Sequence, residues 1–174
     1  LRHFYETWWA ELEPTFSEDT AIYLGHPAEN PARLTSHDWI TTGSTPWNQA
    51  QIRRAVNGDS NTGFWHVNVF ETGHYEIRLR RWPQETGLAI DAPLAPGPNV
   101  PGTQAFRARP GKQIQPVKAS LEIGDLLTIA ACQAAASEVT FRVQLPSGRT
   151  RMRALFTTAS GEQYGAYYAY VTKK

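Results

Sequence analysis

The chain has 174 residues, of which 41% are hydrophobic and 19% charged, and its formal net charge is +1. That length carries one domain with a substantial core, and so even a charge balance gives no bulk reason to bind nucleic acid or an anionic membrane. No apolar run reaches the roughly 20 residues of a membrane-spanning helix, and the single cysteine, Cys132, can form neither an internal disulfide nor a cysteine-based metal cluster.

The sequence opens on Leu1 and not on an initiator Met, and its first residues do not read as a signal peptide. The expectation is a mature product or an excised domain. Residues 1–13 read as a helix: Phe4, Tyr5, Trp8, Trp9 and Leu12 recur at helical spacing, with Glu6, Glu11 and Glu13 opposite, and Pro14 closes it. So many large aromatics call for a surface to cover, either the sheet of this domain or a neighbouring domain.

Residues 20–25, TAIYLG, read as a first strand. A polar, Pro- and Trp-rich stretch follows to residue 49, and then QAQIRRAVN as a turn or short helix. Residues 61–83 carry period-2 alternation on both sides of Glu71-Thr72-Gly73, which predicts a β-hairpin. Trp65, Val67 and Val69 alternate with Phe64, His66, Asn68 and Phe70. Tyr75, Ile77 and Leu79 then lie on one face, and His74, Glu76, Arg78 and Arg80 on the other. The hairpin thus offers a cationic, aromatic edge as well as a core spine.

Residues 83–116 hold seven prolines and little periodicity, so they read as an extended connection. Alternation returns at 117–123, 139–145 and 149–157, with Pro146-Ser147-Gly148 as a tight turn. SGEQ at 160–163 is a further turn and residues 164–171 a last strand. Seven or eight short strands between turn signals predict a mainly β fold: an antiparallel β-sandwich of jelly-roll type with a short N-terminal helix. The division expected is a lead-in helix at 1–14, coming from a missing N-terminal domain, and one sandwich domain at 15–174.

Catalytic constellations are not legible. There is no glycine-rich phosphate loop, no GxSxG elbow and no H-x-x-x-H spacing among His3, His26, His37, His66 and His74. Cys132 lies in the bland stretch IAACQAAAS and reads as a partly buried thiol. Two clusters stand out as binding candidates. The first joins His37, Asp38 and Trp39 to Trp47, Asn48 and Gln49: an indole face suits sugar CH groups, and amides and a carboxylate suit hydroxyls. The same residues also suit a packed loop anchored by its tryptophans. The second is Arg78, Arg80, Arg81 and Trp82, whose guanidinium forks fit sulfate, phosphate or carboxylate, or ordinary cross-strand pairs and Arg–Trp stacking.

The segments FYETWWAELEP, ENPARLTSHDW, PWNQAQIR, GFWHVNV, GHYEIRLRRWPQETGLAI and GEQYGAYYAYV, in that order, resemble the C-terminal portion of bacterial arylsulfatase-type sulfatases. RRWP and GAYY are the most specific pieces; 94–112 and 124–137 match least. The resemblance implies a sulfatase catalytic domain as partner, a periplasmic or secreted location, and a parent enzyme using calcium and a formylglycine. The formylglycine signature is absent here, since Cys132 is followed by Gln133-Ala134-Ala135-Ala136. No catalytic residue, metal ligand or cofactor is therefore expected in this chain, which would support the catalytic domain and contact a sulfated glycan. The competing expectations are an autonomous jelly-roll carbohydrate-binding module, taking a sulfated or neutral glycan, and a purely structural interaction domain.

Overall fold

A computed structural model describes residues 1–17, 19–43, 45–46, 49–55, 62–97 and 110–174. Among these residues ten strands form two sheets. In chain order they are β1 (Ile22–Leu24), β2 (Ala32–Thr35), β3 (Phe64–Val69), β4 (Gly73–Arg80) and β5 (Pro116–Ile123). There follow β6 (Leu126–Ala131), β7 (Val139–Leu145), β8 (Gly148–Thr158), β9 (Gln163–Gly165) and β10 (Tyr168–Lys173). One sheet runs β1-β3-β8-β5-β6, with β9 beside β8, and the other runs β2-β10-β4-β7. All pairs are antiparallel except β1 with β3. The architecture is the expected β-sandwich of jelly-roll type with a short N-terminal helix.

The expected hairpin at 61–83 is corrected. Its two strands form as read, but they belong to different sheets: β3 pairs with β1 and β8, and β4 with β10 and β7. The chain crosses the sandwich at Phe70-Glu71-Thr72. The reason lies in the alternation itself. Trp65, Val67 and Val69 form one fully apolar face, and Tyr75, Ile77 and Leu79 form another; all six are buried. Two such faces remove more apolar surface from water by meeting across a core than by lying side by side. The Tyr75 hydroxyl holds the crossing, donating to the Glu71 carbonyl at 2.7 Å. β7 and β8 repeat the arrangement, with Leu145 and Gly148 in different sheets.

A local hairpin does occur where none was expected. β5 and β6 pair through Ile123 and Leu126, so Gly124-Asp125 is a two-residue loop, with Gly124 at φ +57° as that turn demands. In β6 the outward residues Leu127 and Ile129 are exposed apolar side chains on an edge strand, which hides its alternation. The last expected strand is split at Ala166-Tyr167, leaving β9 in one sheet and β10 between β2 and β4 in the other.

The helix α1 (Arg2–Leu12) forms as read, but none of its residues is buried. Its rings pack on one another and on Phe16: Tyr5 stacks on Trp9 with centroids 6.0 Å apart, and Phe16 meets Trp9 edge-on at 5.2 Å. A second helix, α2 (Gln49–Arg54), stands where a turn or short helix was expected.

Candidate ligand-binding face

Of the residues selected from the sequence, the structure buries Trp39, Arg80, Arg81 and Trp82 and leaves His37 and Asp38 exposed. His37 and Asp38 lie on an exposed 3-10 turn, Ser36–Asp38, where the Asp38 carboxylate accepts a hydrogen bond from the Thr35 hydroxyl at 3.1 Å. Trp39, next along, is 4% exposed. Its ring sits between Trp65 and Tyr167, at centroid distances of 5.6 and 5.4 Å. Gly63 and Gly165 clear its space: a Cβ on Gly63 would stand 2.6 Å from the Trp39 Cβ, and one on Gly165 would overlap the indole. Trp39 thus anchors the loop and offers no ring face to solvent. Trp47 and Asn48 lie outside the described residues, and Gln49 opens α2.

The arginine cluster divides in two. Arg78 and Arg80 lie on the outer face of the β2-β10-β4-β7 sheet and share Glu138, at 3.6 and 2.9 Å. Arg78 also covers the Tyr170 ring. Arg81 turns inward and is fully buried. Its guanidinium donates to the carbonyls of Lys112 at 2.6 Å, Ile90 at 3.4 Å and Ala92 at 3.5 Å, and lies over the Trp82 ring at 4.3 Å. Irregular backbone cannot pair with itself as a strand does, and a buried fork supplies the missing donors. Burial lowers Arg81 to about 10, against the pull of Tyr167 and Tyr164, and burial likewise pushes the Tyr167 hydroxyl up to about 12. Trp82, at 4% exposed, completes this packing. Arg81 and Trp82 therefore fasten the Pro-rich connection to the sandwich.

Open aromatic and cationic side chains gather elsewhere, on the outer face of the β1-β3-β8 strands. Register fixes the arrangement. On β3, Phe64, His66 and Asn68 point away from the core, directly opposite Arg153, Arg151 and Arg149 of β8. On the other side Tyr23 of β1 is the partner of Asn68. Tyr23 is 51% exposed and Phe70 38%. Their ring centroids are 6.4 Å apart, and His26 closes a triad at 4.6 Å from Phe70 and 5.9 Å from Tyr23. Further along, the Arg151 guanidinium lies 4.7 Å over Phe64, and His66 Nδ1 is 3.1 Å from an Asp19 carboxylate oxygen.

Two shallow depressions follow this row. One, of about 230 Å³, lies among Asp19, His66, Arg149 and Arg151. The other, of about 380 Å³, lies among Ile40, Thr41, Phe64 and Arg153. The face combines exposed rings with guanidinium, imidazole and amide groups. That is the chemistry of a surface that takes a polar ligand with apolar faces. The sequence reading did not select Tyr23, His26, Phe70, Arg149 or Arg151. The signal for the last two was the spacing R-x-R-x-R at 149–153, which puts three guanidinium groups on one side of a strand. Among the described residues no cluster of three or more His, Cys, Asp or Glu side chains is arranged to hold a metal ion, and no helix is long and apolar enough to cross a membrane.

The chain matches no family model and no curated protein. Solved structures with a similar course of chain include the Podospora anserina GH26-CBM35 β-(1,4)-mannanase, at 12% identity and a TM-score of 0.43, covering 84% of this chain and 28% of that one. Another is CBM35 from Cellvibrio japonicus Abf62, at 13% identity and a TM-score of 0.35, covering 86% and 92%. A third is the carbohydrate-binding module CBM6cm-2 from Cellvibrio mixtus lichenase 5A in complex with cellotriose, at 12% identity and a TM-score of 0.38, covering 83% and 98%. The chain spans about a quarter of the length of the GH26 mannanases it matches. These findings correct the expected kinship with sulfatases. No sulfatase family model or curated sulfatase matches, and these solved structures are carbohydrate-binding modules or a mannanase that carries one. The catalytic-domain partner, the calcium and formylglycine chemistry and the periplasmic location implied by that kinship no longer follow.

Proposed function

We propose that this chain is a carbohydrate-binding module that holds a glycan along the outer face of β1, β3 and β8. The observation that carries this reading is the open triad of Tyr23, His26 and Phe70 at one end of a row of polar side chains, His66, Asn68 and Arg149. Ring faces pack against the CH groups of a pyranose while the polar atoms hydrogen-bond its hydroxyls. The outward residues from Phe64 on β3 to Phe70 just beyond it extend over about 20 Å at the strand rise of ~3.3 Å per residue, enough for a short oligosaccharide. Residues 15–174 form the binding domain in this reading, and residues 1–14 a connecting helix. A secreted location accompanies this reading, since structural polysaccharides lie outside the cell.

The test is titration of the 174-residue chain with neutral and acidic tetrasaccharides, followed by NMR shifts and calorimetry. Binding at millimolar concentration or better is expected, with shifts centred on Tyr23, Asn68 and Phe70. Tyr23→Ala and Phe70→Ala are expected to abolish binding while leaving the melting temperature within a few degrees, since both rings are substantially exposed. Absence of binding by every sugar at millimolar concentration would sink the reading, as would shifts confined to other faces.

A further inference from the structure

The two outer faces of the sandwich are both rich in arginine, but among the described residues only one is neutralised throughout. On the β2-β10-β4-β7 sheet every arginine of the described strands has an acid. Arg78 and Arg80 share Glu138, Arg142 pairs with Glu76, and Arg33 with Glu85. Glu76 is held below the ordinary carboxylate range by its hydrogen bond from Lys174 in the first place, with Arg142 adding to it. That face consumes its own charge.

The β1-β3-β8 face does not. β8 presents Arg149, Arg151 and Arg153 at alternate positions, their Cα atoms about 6.6 Å apart in steps of two residues. Among the described residues the Arg149 guanidinium has no hydrogen-bond or ion-pair partner, and that of Arg151 has the Phe64 ring but no carboxylate. The nearby acid, Asp19, is already against His66. Glu122 stands across the ladder from Arg153, two residues past Arg151 and the depression. Like charges set side by side on a sheet repel unless something lies between them. The depression between them, about 230 Å³, has room for an acidic substituent and its water, at ~30 Å³ per water.

We propose that the ligand of this face is an acidic glycan whose carboxylate or sulfate group lies between Arg149 and Arg151, while a neighbouring sugar ring stacks on Tyr23 and Phe70; this rests on the carbohydrate-binding reading above. Both acid groups present the planar or trigonal oxygen edge that a guanidinium fork meets with two parallel hydrogen bonds. His66, opposite Arg151, and Asn68, opposite Arg149, face the same substituent from β3.

The experiment compares four ligands on the full chain by calorimetry at low salt: tetragalacturonate for the carboxylate, an O-sulfated galactan tetrasaccharide for the sulfate, and cellotetraose and mannotetraose as neutral controls. At least one acidic ligand is expected to bind about tenfold tighter than both neutral ones, an advantage that shrinks in 0.5 M salt. The arm that keeps the advantage identifies the acid group. The double variant Arg149→Ala with Arg151→Ala is expected to bring the acidic ligand to within about twofold of the neutral ones. Arg142→Ala, on the neutralised face, is expected to change nothing. If neutral sugars bind as tightly as acidic ones, or the preference survives the double variant, the acidic-ligand inference falls and the carbohydrate reading stands. If no sugar of either charge binds, both fall.

Discussion

Replacing Gly165 by alanine tests whether Trp39 is wedged into the core or available to a ligand. The added Cβ would overlap Trp39 Cη2, and would also stand 3.0 Å from Cζ2 and 3.1 Å from Cζ3, where carbon atoms prefer ~3.5–4.0 Å. The ring cannot withdraw, because Trp65 and Tyr167 flank it and Gly63 backs its Cβ. The backbone is held as well, since Gly165 is paired with Leu155 in the β8–β9 ladder. Overpacking of this kind costs about 1–3 kcal/mol, or some 4–8 °C in Tm at the middle of that range for a chain of this size. Trp39→Phe alone removes the ring that clashes. The indole N–H it also removes is buried and has no partner among the described residues, so no hydrogen bond there is lost. In that background the alanine methyl fills vacated space and its cost is expected to fall to within ~0.5 kcal/mol of zero, a coupling of about 1–3 kcal/mol in the double-mutant cycle. Urea unfolding of the four proteins, followed by circular dichroism, measures it. An equal cost of Gly165→Ala in both backgrounds would refute the wedge and return the Trp39 face to the candidate ligand surfaces.

Two other predictions concern a buried arginine and a half-buried thiol. Arg81→Ala is expected to lower stability by about 3 kcal/mol, from one short charge-assisted bond to the Lys112 carbonyl at ~1.5–3 kcal/mol and the packing on Trp82. Arg81→Lys is expected to recover little of it, because a single ammonium nitrogen cannot stand where both terminal guanidinium nitrogens do; a variant that loses glycan binding at unchanged stability would contradict this role. Burial pushes the Cys132 thiol up to about 11, so alkylation of the folded chain at pH 8 is expected to be about a hundredfold slower than in urea, rising about tenfold per pH unit. The sign of the linkage follows: the folded thiol binds its proton more tightly than the unfolded one, so stability is whole below pH 9 and is lost as pH rises through about 11. Equal alkylation rates in the folded and unfolded chain would show that the thiol is not shielded.

Alternation was the legible part of this sequence, because it depends only on which residues share a side of a strand. It placed Trp65, Val67, Val69, Tyr75, Ile77 and Leu79 in the core, where all six are found. It did not say that β3 and β4 belong to different sheets, since a short turn and a crossing of the sandwich begin with the same residues. Composition was a poor guide to exposure. Trp39, Arg81 and Trp82 look like ligand chemistry, but two glycines make room for the first and backbone carbonyls claim the second. Those partners lie far away in sequence, at Gly165 and Lys112. Tyr23, Phe70 and Arg149 come together only through the parallel β1–β3 pair and the β3–β8 register, which no local pattern encodes.

The position of β10 bears on how the chain is made. It lies between β2 and β4, with Tyr168 opposite both Thr35 and Arg80. A ribosome delivers β2 and β4 long before it delivers the strand that joins them. Until then each has a bare edge facing a gap one strand wide, open to any extended segment that reaches it first. Completion of the sheet waits on contacts distant in sequence, which makes for slow closure. A chain shortened before Tyr168 loses the middle of a sheet and not its margin, and is expected to aggregate rather than fray.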